Sequence, residues 1–300
     1  MDRLLAIGRL NRPVDSQKTG ADFATQLGAK SAKNHLKTDL RAPDMGTMLR
    51  GLGINTRQLR NGLRELPAFL RDYWHLRDSL KELGDEFPMA TWNPCLTDRS
   101  DCNGVASGHY FHQDLWIARQ IFLNQPEKHV DVGSRVDGFV AHVAVFRNIE
   151  VLDIRPQEST VANIHFKQAD ITSTDFTLTD YCDSLSCLHA IEHFGLGRYG
   201  DPIDAKGHLR GLANIHRCLK QGGTLYLSTP IGPQRIEFNA HRVFSIRYLL
   251  DWFAPLFDLK AFSFVDDAGK LHTDVELTPE LISDNCGCHY GCGIFELVKK

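Results

Sequence analysis

Apolar residues recur along this chain with two different periods. Between Pro67 and Leu83 the residues Phe69, Leu70, Tyr73, Leu76, Leu80 and Leu83 follow one another at steps of three and four. That spacing gathers them on one face of an α-helix, with Pro67 suited to its first turn and Gly84 to its stop. A second helix is expected over His112 to Leu123, where Leu115, Ile117, Ala118, Ile121 and Phe122 recur similarly. From His129 onward the pattern changes. The short apolar runs HVDVG, IEVLDI, IHFKQADI, CDSLSCLHAI, GTLYLSTPI, LKAFSFV and GIFELVK alternate with helical or mixed segments. Strands separated by helices predict right-handed crossovers and a mostly parallel α/β sheet. Among the connections, KGHLRGLANIHRCLK (206–220) lines up Leu209, Leu212, Ile215 and Leu219 and is expected to stop at Gly222 and Gly223. Ser245 has the right chemistry to cap IRYLLDWF. Residues 85–108, rich in Pro, Asn, Asp, Gly and Cys, read as loop. The first 55 residues show only weak periodicity.

Composition narrows the class without naming it. Three hundred residues, 42% apolar and 24% charged, suffice for one large core plus an appendage. The expected division is a basic and helical N-terminal extension over 1–108 and a Rossmann-like domain over 109–300. There is no internal repeat or low-complexity tract. A net charge of -3 removes any general attraction to nucleic acid, which needs clustered Lys and Arg. The charge is uneven: residues 1–64 hold four Lys and eight Arg against five Asp and no Glu. Such a segment reads as a basic leader or as an arm for an acidic surface. No apolar run approaches the ~18 residues of a membrane span, and LLAI is too short for a secretory signal. The expectation is a cytoplasmic chain whose eight cysteines are reduced thiols.

In an open parallel sheet the ligand lies beyond the carboxyl ends of the strands, where strand order reverses. Asp131 and Gly133 close the first expected strand, and a glycine there lets backbone approach a ligand. Asp153, 22 residues after Asp131, ends the second, where an acid suits the two ribose hydroxyls of an adenosine. Asp170 follows the third, in reach of an adenine amino group. The turn GSRVDG lacks the GxGxxG spacing that seats a pyrophosphate on helix amides, and Asp137 would repel a diphosphate. A phosphate-free ligand tolerates that acid, and a cationic sulfonium is attracted by it.

The segments DVGSRVDG, VLDI, QADI, HAIEH and RCLKQGGTLYLSTPIG resemble the ordered motifs of class I methyltransferases that use S-adenosylmethionine (SAM), over roughly residues 110–300. AIEHFGLGRYGDP, FNAHRVFS and YGCGIFEL resemble one poorly characterised branch of that superfamily. The resemblance implies a seven-stranded sheet with an antiparallel last strand at GIFELVK and SAM as cofactor. It implies cofactor contacts at Asp131, Gly133, Ser134, Arg135, Asp153, Ile154, Asp170, Ile171 and Leu188. The chain departs from the usual DxGxGxG pattern: Arg135 replaces the second glycine and the third is displaced to Gly138. Arg135 is then expected to pair with the carboxylate of the methionine tail.

Methyl transfer is an in-line displacement in which alignment does most of the work, and a neutral hydroxyl acceptor also needs a general base. His189, Glu192, His193, Asp201 and His241 are the candidates, with His193, His241 and Glu192 preferred. A helical HAIEH would set His189 and His193 on one face. The alternative for Glu192 is an ion pair with Arg198 or Arg242. The helix containing Tyr110 and His112 is expected to border the cleft or to pack in the core. No metal is expected, although two histidines with Glu192 or Asp201 form an alternative divalent site. CGCHYGC, with Cys286, Cys288, His289 and Cys292, crowds its ligands too tightly for a zinc site and reads as a turn with small buried thiols. The acceptor expected is a small molecule or a sugar of a surface glycan, which places the chain in glycan biosynthesis. A nicotinamide-dependent dehydrogenase and a non-catalytic SAM-binding scaffold or regulatory protein are the alternatives.

Overall fold

A computed structural model describes residues 44–83, 87 and 89–300. The basic leader before residue 44 and the expected helix stop at Gly84 lie outside the described residues. These fall into two compact units, one ending at Val105 and the other running from Ala106 to Lys300.

In the first unit, helix α1 (Met45–Gly51) starts at Asp44, whose carboxylate accepts from the Thr47 amide at 2.7 Å. Helix α2 (Thr56–Leu83) begins well before Pro67, which lies inside it. Two local features carry the helix backward: Leu59, Leu63 and Leu66 continue the helical spacing, and the Asn55 side chain accepts from the Gln58 amide at 3.1 Å as an N-cap. Pro67 therefore costs one interior hydrogen bond instead of serving a first turn. Trp92, from the following loop, packs on Phe69 and Tyr73 with ring centroids 5.8 and 4.7 Å apart.

The second unit opens with helix α3 (His109–Asn124) and continues with strand β1 (His129–Val132). An irregular helical turn (Val136–Val140), broken at Gly138, and the short helix α4 (Ala141–Ala144) lead to β2 (Ile149–Asp153). Then come β3 (Ile164–Gln168), β4 (Cys182–Leu188), helix α5 (Gly207–Cys218) and β5 (Leu219–Ile231). A small hairpin, β6 (Arg235–Glu237) and β7 (His241–Val243), precedes helix α6 (Ile246–Phe253). The chain ends with β8 (Phe257–Val265), β9 (Leu271–His272), helix α7 (Pro279–Ser283) and β10 (Gly291–Lys299).

Eight strands form one sheet in the order β3-β2-β1-β4-β5-β10-β8-β9. β1 to β5 run parallel, and β10 is antiparallel to both its neighbours, as expected for GIFELVK. The expected count of seven is corrected to eight. The extra strand is the two-residue β9, which folds back on the end of β8 so that Phe264 faces His272. Seven apolar runs announced seven strands, and LH is too short to show a period.

Helices α5 and α6 cover one face, where Leu212, Ile215, Ile246, Leu249 and Trp252 pack on Leu185, Cys187 and Leu225. On the other, Ile117, Ala118 and Ile121 of α3 pack with Phe139 and Val143 against Val151 and Tyr226. The polar groups of β1 are also buried. His129 reaches Ser184 Oγ at 2.8 Å and Ser186 Oγ at 3.1 Å. Gly222 and Gly223 do not stop α5: the helix ends at Cys218 and β5 starts at once. The glycines sit where Cys182 faces Leu219 but Ser184 already faces Thr224, so a bulge absorbs three extra residues. Ser245 caps α6, its Oγ accepting from the Tyr248 amide at 3.3 Å.

Among the described residues, no helix is long and apolar enough to cross a membrane.

Candidate functional site

The order reverses between β1 and β4, because β1 continues to β2 on one side while β4 adds on the other. Beyond the carboxyl ends of these strands lies a cleft of about 560 Å³, counting its open mouth. Gly133, Asp153, Ile154, Asp170 and Ile171 line it, together with Arg155, Thr172, His189, His193, Phe194, Tyr199 and Asp201.

Gly133 makes the approach possible. Its φ is +77°, a value that side-chain-bearing residues rarely adopt, and a Cβ there would come within 3.0 Å of the Ala190 Cβ. Its amide donates to the Leu152 carbonyl at 2.9 Å, locking the turn to β2. Asp131 is fully buried below the turn and does not line the cleft. It accepts from the Ser134 amide and hydroxyl at 3.0 and 2.8 Å and from Ser186 Oγ at 2.6 Å. Burial pushes its pKa up to about 6 against the pull of these donors. Asp131 and Ser134 thus shape the turn from beneath. Leu188 is likewise packed in the core.

Arg135 and Asp137 point to solvent and hold each other at 3.0 and 2.6 Å, both about 70% exposed. The cation expected to meet a ligand carboxylate already has an acid beside it. Asp153 is held in a similar but more sheltered way: Arg155 donates to its two oxygens from Nε at 3.0 Å and Nη2 at 2.6 Å, and from its amide at 2.8 Å. The Arg155 guanidinium also stacks over the Tyr199 ring, 4.6 Å from its centroid. Asp170 Oδ1 accepts from the Thr172 amide and hydroxyl at 2.8 and 2.7 Å. The two acids are oriented, with lone pairs left for a ligand.

After β4, HAIEH is not a regular helix. His189 takes a left-handed φ of 49°, and only Ile191–His193 make a short 3₁₀ turn. His189 and His193 both reach the cleft by this sharp bend instead of by helical spacing. The His189 amide donates to Ser228 O at 3.0 Å and Ser228 Oγ at 3.1 Å. Its Nδ1 lies 2.7 Å from Glu192 Oε1. Glu192 is 1% exposed, away from the cleft lining. Burial alone would raise its pKa, but contact with His189 and the nearby His193 hold it below the usual value. It pairs with neither Arg198 nor Arg242: Arg198 donates to Ala240 O, and Arg242 to the carbonyls of Phe194 and Glu192.

His193 Nδ1 is 2.6 Å from the Ala240 carbonyl. A carbonyl only accepts, so Nδ1 carries the proton and Nε2 the lone pair. Burial lowers the His193 pKa, and Glu192, whose Oε1 is 3.7 Å from Nε2, partly offsets that. His241 stands outside the cleft lining, its Nε2 3.4 Å from Glu237 Oε2 and its ring 6.5 Å from that of His193 between centroids. Asp201 is spent on its own loop, accepting from the amides of Gly195 at 2.8 Å, Gly197 at 3.2 Å and Tyr199 at 3.3 Å. This knot fixes Tyr199 at the mouth.

Sequence reasoning passed over Arg155, Thr172 and Tyr199. Arg155 and Thr172 each stand two residues after a strand-end acid, a spacing at which a side chain folds back on its neighbour, and that was the available signal. His109 was also passed over. Its ring stacks on His189, centroids 5.2 Å apart, while the 57% exposed Tyr110 approaches the same ring at 5.1 Å. In CGCHYGC, Cys288 and Cys292 are buried and Cys286 is half-buried, all as free thiols.

Residues 136–269 match the model of a family described as "Caenorhabditis protein of unknown function, DUF268". No curated protein matches the chain. Among solved structures, it is similar to a 1,6-didemethyltoxoflavin-N1-methyltransferase from Burkholderia thailandensis, with S-adenosylhomocysteine bound. The identity is 12%, covering 89% of this chain and 98% of that one, with a TM-score of 0.46. The N-methyltransferase NodS from Bradyrhizobium japonicum, in complex with S-adenosylhomocysteine, is 11% identical over 64% of this chain and 88% of its own, TM-score 0.42. The YcgJ protein from Bacillus subtilis is 14% identical over 63% and 98%, TM-score 0.42. Likeness at this level decides nothing about ligand or reaction, which rest on the geometry of the site.

Proposed function

We propose that this chain is a SAM-dependent methyltransferase acting on a hydroxyl of a small molecule, with a sugar of a surface glycan as the narrower form of that acceptor. The observation that carries the reading is the cleft at the reversal of strand order, where Gly133, Asp153 and Asp170 stand at the ends of three successive parallel strands. These residues fit a nucleoside. Gly133 leaves the space a Cβ would take, Asp153 presents a fixed carboxylate to a vicinal diol, and Ile154 and Ile171 give a base an apolar bed. The Arg135–Asp137 pair lies outside the lining and has to open before Arg135 can meet the carboxylate of a methionine tail. The same turn seats a diphosphate badly: Asp137 stands in it, and its backbone is broken at Gly138, so the amides are not presented as at a regular helix start.

Bound SAM supplies an electrophilic methyl group. His193 keeps its Nε2 lone pair in the cleft and takes the proton of an acceptor hydroxyl. Glu192 stabilises the resulting imidazolium from 3.7 Å. Phe194 and Tyr199 add aromatic surface to the lining.

Calorimetric titration of the full chain with SAM tests the reading. Wild type should bind, and Asp153→Ala should weaken binding by about tenfold to a hundredfold, the scale of hydrogen bonds to a charged group. Equal affinity in the variant would remove the ribose contact, and NADH binding in place of SAM would overturn the assignment.

A further inference from the structure

Three side chains from distant parts of the second unit converge beside the cleft, and only one of them, His189, also lines it. His109 opens α3, His189 follows β4, and Cys292 is the second residue of β10. Sheet register explains the meeting. β5 lies between β4 and β10, with Leu188 opposite Ser228 on one side and Cys292 opposite Pro230 on the other. The two ligand-bearing ends are therefore level, and the start of α3 brings His109 over them. One nitrogen of each imidazole and the sulfur all lie within 4.8 Å of one another.

The tautomer of His189 sharpens the picture. Its Nδ1 faces the buried Glu192 carboxylate at 2.7 Å, so Nδ1–H donates there and Nε2 is the ring nitrogen left for the cluster. That Nε2 is buried and meets no nitrogen or oxygen partner, on a side chain only 4% exposed; its polar neighbour is the Cys292 sulfur. Buried polar atoms are almost always satisfied, and an orphan asks for a missing partner. Cys292, fully buried and free, sits on the same spot.

We propose that His109, His189 and Cys292 form a binding site for a borderline-soft divalent transition-metal ion, zinc above all, with Glu192 as the positioning residue that orients His189. Two imidazoles and a thiolate suit zinc and exclude magnesium and calcium, which take oxygen ligands. A carboxylate on the far nitrogen of a ligating histidine is the usual support for such a site. Tetrahedral zinc holds its ligand atoms about 3.3–3.8 Å apart, so movements on the order of 1 Å close the set, and the half-buried His109 has the freedom to make them. On binding, the Cys292 S–H bond and any N–H bond at His189 Nε2 break, the sulfur–metal and nitrogen–metal bonds form, and the protons pass to solvent. Three protein ligands leave a fourth position for water or an oxygen of a small molecule. The site does not depend on the methyl-transfer reading.

The test uses the full-length chain carrying Cys95→Ser and Cys102→Ser, which removes the two exposed thiols. The stripped protein is titrated with cobalt(II), and zinc is then counted by mass spectrometry after exchange. The expected result is one ion per chain, with a near-ultraviolet thiolate-to-cobalt band that zinc abolishes. Cys292→Ser should lose the band. His109→Ala, at a half-buried position that the fold tolerates, should weaken binding by about a hundredfold or more. Glu192→Gln should weaken it by about tenfold to a hundredfold while keeping the band. Failure to bind stoichiometrically, a band that survives Cys292→Ser or disappears in Cys286→Ser or Cys288→Ser, or unchanged affinity in His109→Ala would each overturn the proposal.

Discussion

His193 owes its proposed role to one carbonyl. With Ala240 O at 2.6 Å from Nδ1, the ring has no choice of tautomer, and burial keeps it neutral near pH 7. His193→Gln should lower methyl transfer by about a hundred- to ten-thousand-fold while leaving SAM affinity unchanged. Single-turnover kinetics with the identified acceptor checks this, and a non-catalytic scaffold would show no turnover in either protein. At this scale the sequence is legible where a residue's place in the cleft follows its position along a strand: Gly133, Asp153 and Asp170 each stand at a strand end and line it. It is opaque where a side chain's partner comes from elsewhere. Ser186, 55 residues beyond Asp131, takes up that carboxylate, and His109 meets Cys292 only after α3 and β10 have docked on the sheet. No local pattern announces such meetings.

Helix α2 shows an element overruling its own punctuation. Pro67 is exposed in the middle of 28 residues of helix, where its ring removes a donor to the carbonyl four residues earlier. Asn55 and the leucine spacing before Pro67 outweigh it. Pro67→Ala should therefore stabilise α2 by about 2–3 kcal/mol, read as slower amide exchange over residues 63–70. No change there would mean that the helix ends are already open before Pro67 matters. Gly222 and Gly223 teach the same point in β5. A glycine pair after a helical run reads equally as a stop or as a bulge, and the register against β4 decides between them. The seven long strands were readable from their apolar runs, whereas β9, with two residues, had no period to read.

Across the whole second unit the buried titratable groups set the response to acid. Burial pushes His129 and His208 down to about 3, and it pushes Asp131 up to about 6. The histidines, lowered from 6.5, bind protons in the unfolded chain before the folded one, so stability falls as pH drops below 6.5. Asp131, raised from 3.8, is protonated first in the fold, which favours the acid side between pH 6 and 4. By themselves these three groups give a loss of about 2–3 kcal/mol from pH 7 to pH 5; His109, lowered to about 4, adds to it, and His189, raised well above 6.5, works against it. Thermal melts at the two pH values should differ by about 5–10 °C, and His208→Asn should reduce the difference. A flat profile would mean that these histidines are not neutral in the fold.

The same sheet ends in two modest borders. β3 is five residues long and carries His165 and Lys167, and β9 is only two. β9 covers only Phe264 and Val265 of β8, so the first residues of β8 keep an open edge on that side, where Asp258 and Lys260 stand. Charged side chains along both borders, more than any shortage of open backbone, are what discourage self-templated stacking here.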